Sequence, residues 1–219
     1  MQTNQTLSLA APVPRPRWLL ACFWLSIVTA LAAALRRLVA LLRPSEGGPP
    51  ASAALDSYFS AHAALTALHI LPAALFIILA AFVMLRRSGS DWPERLFFPF
   101  GAITAFTAYA MSRHAVGGWL ERSAVLVFNT WFLFSLGMAY RHLLQGDSVR
   151  KRQWMTRAVA IVLGIATTRP VMGLFFATSA RTHLEPSQFF GVAFWIGFSL
   201  NSAAVEFWLR SRRGSTLPR

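Results

Sequence analysis

Cysteine is nearly absent from this chain, and charge is scarce. Of 219 residues, 55% are hydrophobic and only 13% are charged, about half the roughly 25% that soluble domains carry. The one cysteine, Cys22, sits inside an apolar run, so neither a disulfide framework nor a multi-cysteine metal site can form within one chain. There is no H-E-x-x-H and no cluster of carboxylates in the apolar runs, so no metal site is expected. G-x-S-x-G, the Walker loop and the dinucleotide fingerprint are missing too, which leaves hydrolase, ATPase and dehydrogenase readings without residues to carry them. A formal net charge of +13 would suggest nucleic acid in a soluble protein. Here the arginines stand between apolar runs instead of on one continuous patch, and no nucleic-acid partner is expected.

What the sequence does hold is a series of apolar runs of bilayer-crossing length. They predict an all-α fold, an integral membrane bundle of about six transmembrane helices. Residues 1–16 are polar, carry Pro12, Pro14 and Pro16, and read as a cytoplasmic tail. Residues 17–210 read as a single transmembrane domain and 211–219 as a basic cytoplasmic tail. The first span runs from about Trp18 to Leu35. Arg15 and Arg17 precede it as they would a signal peptide, but its apolar core is longer than a signal core, so a retained helix is expected. After Arg36, Arg37 and Arg43 comes a loop rich in Gly, Pro and Ser, Gly47 to Ser52.

The second span, about Ser57–Leu85, carries His62 and His69, whose spacing places both on one helix face. A short polar loop, Ser88–Glu94, leads to the third, about Leu96–Met111, where Gly101, Ala105 and Ala108 let another helix approach closely. The fourth, about Ser123–Tyr140, contains Asn129 and is followed by a basic loop, Arg141 to Arg152. The fifth, about Trp154–Ser179, carries Arg157 and Arg169 and should kink at Pro170. The sixth, about Phe189–Leu209, carries Asn201 and Glu206. Lysine and arginine crowd the N-terminal tail, the loops after spans two and four, and the C-terminal tail. Both termini are therefore expected in the cytoplasm. Trp18, Trp92, Trp119, Trp154 and Trp208 fall near the predicted membrane interfaces.

Arg157, Arg169, Asn201 and Glu206 lie in apolar runs, where such groups are expensive and should face other helices. At 1.5 Å per residue, Arg157 and Glu206 both fall about one turn inside the cytoplasmic face, which makes them a candidate structural ion pair. Arg169 lies roughly 20 Å in from that face, at about the depth of His62 and Asn129, while His69 and Asn201 share a level near the middle. His62, His69, Asn129, Arg169 and Asn201 are thus the candidate ligand-binding residues or polar core, a seam through the bundle. The simpler reading is that Asn and His only tie helices together. No residue is singled out as catalytic. Haem of the b type would need two histidines at matched depth on facing helices. Near the outer face His62 could pair only with His114 or His183, both expected in loops, and His69 has no second histidine at its depth.

Trp154-Met-Thr-Arg157, then Arg169, then Asn201-x4-Glu206 resemble the signature of a family of multi-pass bacterial membrane proteins catalogued as a domain of unknown function. That signature reads His-x-x-Trp-Met-x-Arg, a second Arg, and Asn-x4-Glu. The similarity covers roughly residues 60–210 and is strong only from Arg152 onward. His69, opening H-I-L-P-A-A-L-F, resembles the family's first histidine. Lys151 stands where the signature histidine would be, and W-P-E-R-L-F-F stands without the histidine that the family carries before its next helix. The resemblance implies a bacterial inner (cell) membrane location and a shared polar core, but no activity.

The function expected is that of a multi-pass inner-membrane protein binding a small or lipidic ligand, or relaying protons, around His69, Arg169 and Asn201. One rival is a structural or interaction subunit whose polar residues only hold the bundle together. The other is a redox protein with b-type haem or quinone. The lipid bilayer is the partner common to all three.

Overall fold

A computed structural model describes residues 17–43, 50–85 and 92–214. These form α1 (Arg17–Leu42), α2 (Pro50–Ser60), α3 (Ala63–Leu85), α4 (Trp92–Met111), a 3-10 turn at Ser112–His114, α5 (Gly118–Leu144), α6 (Ser148–Thr182) and α7 (Pro186–Gly214), with no strand among the described residues. The fold is all-α. Five helices, α1, α3, α5, α6 and α7, are long and apolar enough to cross a membrane. Large apolar side chains such as Leu25, Phe106, Leu174 and Phe207 lie open on the surface, as suits helices solvated by lipid rather than water. The tail over residues 1–16, half of the Gly47–Ser52 loop, most of the Ser88–Glu94 loop and the end of the basic tail lie outside the described residues.

Packing is antiparallel between neighbours in the chain. Phe76 of α3 meets Phe97 of α4 at 4.6 Å between ring centres and Phe132 of α5 at 5.4 Å, and all three rings are buried. Gly101 permits this: a Cβ there would come within 3.0 Å of both Leu136 and Phe76. Helix α6 lays Met155, Ala158, Ile161 and Ala166 against the same core. Helices α6 and α7 approach through glycine as well, because a Cβ on Gly197 would meet the Thr168 side chain at 2.6 Å and its backbone nitrogen at 2.8 Å. The expected basic loop after Tyr140 is mostly helical. Gly146, with φ of +71°, lets the chain turn within Gln145–Asp147, and its N–H donates to the Leu143 carbonyl at 3.1 Å. Helix α6 continues through Pro170.

The second expected span is divided. Its first part is α2, and His62 falls in the turn before α3 rather than on the helix that carries His69. Tertiary contacts override the continuous apolar run. Leu55 of α2 is buried with Met172, Phe189 and Phe190 of α6 and α7, and Asp56 is held by two arginines of α1. The Thr66 hydroxyl donates to the Phe59 carbonyl at 3.3 Å, taking up an acceptor near the broken end. One end of the bundle thus gathers the C-terminus of α1, α2, the 3-10 turn and the α6–α7 turn. It is called the α2 end below.

Candidate functional site

At the end opposite α2, ionic groups find partners. Arg157 donates from Nε and Nη2 to the two carboxylate oxygens of Glu206, the second bond at 3.1 Å. Its guanidinium also lies 4.5 Å from the centre of the Trp154 ring. Lys151 Nζ reaches Glu94 at 2.7 Å, and Arg152 donates to the Met84 carbonyl at 2.6 Å. Lys151 therefore ties α6 to α4.

The uncharged polar groups are distributed over separate helix pairs. The Thr107 hydroxyl donates to the Ile103 carbonyl at 2.7 Å, which leaves His69 Nδ1 as the donor in its 3.0 Å contact with that hydroxyl. Asn129 of α5 donates to the Ala105 carbonyl of α4 at 2.9 Å. Asn201 of α7 donates to the Ala160 carbonyl at 3.2 Å and accepts from Thr167 at 3.0 Å, both on α6. Each ties two helices, and the structure does not gather them into one seam. Depth follows from counting residues, but the rotation of each helix decides which groups meet.

His62 and His114 do come together, with ring centres 4.0 Å apart and planes inclined at 35°. Imidazoles in ring-to-ring contact leave no slot for a porphyrin between them. They border a pocket also lined by Tyr58, Phe59, Thr66 and Met111.

Arg169 is the exception among the deep polar groups. Among the described residues its Nε is buried with no hydrogen-bond partner, and its Nη1 has only the Met172 sulfur, at 3.9 Å. Among the described residues no carboxylate pairs with it. Arg36 and Arg37 stand on α1, which packs against α6. Those two share one acid. Arg37 Nη1 lies 2.5 Å from Asp56 Oδ1, and Arg36 lies 3.1 Å from Oδ2 and 3.4 Å from Oδ1. The Arg37 guanidinium also covers the Phe59 ring at 4.1 Å, and Phe59 packs on the cluster that contains Met172. At the α2 end, then, two guanidinium groups hold a buried carboxylate, and a third, on Arg169, has a buried Nε with no acceptor among the described residues. Planar forks of this kind match carboxylate and phosphate oxygens.

Arg36, Arg37 and Asp56 do not figure among the residues expected from the sequence. Their signal is present, since the apolar run resumes as Leu38-Val39-Ala40-Leu41-Leu42 after the two arginines and so extends α1 past Leu35. Compared with known proteins, the chain matches no family model, no curated protein and no solved structure.

Proposed function

We propose that this is a bacterial inner-membrane protein with six spans and cytoplasmic termini that binds a small or lipidic ligand at the α2 end through Arg169. The observation that carries the reading is the Arg169 guanidinium, set among helices with a buried donor that has no acceptor among the described residues. A charge so placed is costly in hydrocarbon unless an acceptor meets it. The sixth span is α4. Its 20 residues make about 30 Å of helix, the thickness of the hydrocarbon core, and only its first turn, with Glu94 and Arg95, is strongly polar. It runs beside α3 and α5, with contacts from Phe97 and Phe98 to Thr107 and Tyr109. The cytoplasmic termini rest on the arginine distribution, and the inner-membrane location on the resemblance carried by Trp154–Arg157, Arg169 and Asn201–Glu206.

For His69, Asn129 and Asn201 a second reading is favoured by their bonds to neighbouring helices: they are ties within the bundle, in place of ligand contacts. Native mass spectrometry of protein gently extracted from its own membrane tests the main reading. Wild type is expected to retain a non-protein adduct that Arg169→Lys loses while eluting as the same folded species. Identical spectra for the two proteins would contradict the reading.

A further inference from the structure

Resting on that reading, we infer that the ligand presents a phosphate group, held between Arg36, Arg37 and Arg169, with Asp56 as a resident counter-ion that competes for the same donors. The geometry begins with a charge imbalance. Arg36 and Arg37 share one carboxylate, and Arg169 adjoins Met172, whose cluster also packs the Phe59 ring that lies under Arg37. Two other acids are described at this end. Glu121 accepts the Gly117 N–H at 2.6 Å, and Glu185 lies exposed in the α6–α7 turn. An anion with several oxygens balances the excess positive charge, and phosphate offers each guanidinium a two-point contact.

The three arginines differ in exposure in a way that gives the site a direction. The Arg36 side chain is 56% exposed, that of Arg37 is 14% exposed, and Arg169 reaches in from α6 with its Nε fully covered. A ligand would therefore enter past Arg36 and end on Arg169. The π face of Phe59 holds the Arg37 plane from behind, which fixes the fork without using its donors.

The surroundings favour a lipid headgroup over free phosphate. Leu35, Val39 and Leu42 form an exposed apolar stripe on the last turns of α1, beside the arginines. Trp119, also widely exposed, marks the same end from α5. Apolar residues facing lipid next to arginines facing a carboxylate place the site where acyl chains give way to headgroups.

The test uses the full-length protein in nanodiscs of neutral phosphatidylcholine, with and without phosphatidic acid. Binding is read by native mass spectrometry and by the midpoint of thermal unfolding. Phosphatidic acid should bind at least tenfold more tightly than phosphatidylcholine. Arg36→Gln, at an exposed position, and Arg169→Lys should each weaken that preference at least tenfold. Asp56→Asn should strengthen phosphatidic acid binding, because it removes the competing carboxylate; a merely structural role for Asp56 predicts no gain. Inorganic phosphate added to neutral nanodiscs separates the sources. A raised midpoint abolished by Arg36→Gln assigns the site to free phosphate, and no response alongside phosphatidic acid binding assigns it to the headgroup. An Arg169-dependent adduct that ignores headgroup charge would overturn the phosphate inference and leave the binding reading standing. Equal retention of phosphatidic acid by wild type, Arg36→Gln and Arg169→Lys would overturn both.

Discussion

Two arginines on α6, at different depths, have opposite surroundings and make opposite predictions. Arg157 is buried against Glu206 and Trp154. Glu206→Gln removes the charge that offsets it, and should lower unfolding stability by on the order of 3 kcal/mol, the low end for stranding a buried partner, since the Glu206 side chain is 29% exposed. The double variant Arg157→Gln with Glu206→Gln should lose less than Glu206→Gln alone. Strictly additive losses in the cycle would show that the two side chains do not act together. Arg169 has no such partner among the described residues. In delipidated detergent, Arg169→Met should leave stability unchanged or raise it by about 1 kcal/mol or more, because an uncompensated charge gives way to an apolar chain of similar length. A clear loss of stability would make Arg169 a structural tie.

At the scale of helices, close approach is set by glycines, and they can be ranked by what surrounds them. A side chain at Gly197 would strike the backbone of Thr168, whereas nothing lies within 4 Å of a Cβ built at Gly137. Gly197→Ala is expected to cost about 1–3 kcal/mol by forcing α6 and α7 apart. Gly137→Ala should be neutral or stabilise by about 0.5–1 kcal/mol through helix propensity. Equal effects in thermal unfolding would refute the packing account of this pair. The helices themselves were legible in the sequence because apolar length is a local property, and α3, α5, α6 and α7 fall where their runs do. The division between α2 and α3 was not, since the run Ser57–Leu85 contains no proline or glycine before Pro72 to announce it; contacts of Leu55 and Asp56 with distant helices impose it. The Arg157–Glu206 pair could be proposed from depth, both being near one end of adjacent helices. The arginine site could not, because it depends on how α1 and α6 are rotated and on how α2 folds back, which no residue count supplies.

For the whole molecule, the arrangement of spans predicts which segments meet which compartment. Reporter fusions at Ser88 and at the C-terminus should read cytoplasmic, and fusions at Gly48 and Gly118 should read outside. A Ser88 fusion reading outside would invert the molecule and move the α2 end to the cytoplasm. That end is where two surfaces of different character meet, an apolar stripe suited to lipid and the Arg36 and Arg37 guanidinium groups on Asp56. A protein whose polar interior served only to hold helices together would have no need of a charged donor like Arg169 Nε, which has no acceptor among the described residues. The most direct measurement is an experimental density map of the protein purified without added ligand. The account predicts non-protein density within hydrogen-bonding distance of the Arg169 guanidinium, continuous toward Arg36. Arg169 with every donor satisfied by protein carbonyls or carboxylates, and no density beside it, would contradict the account.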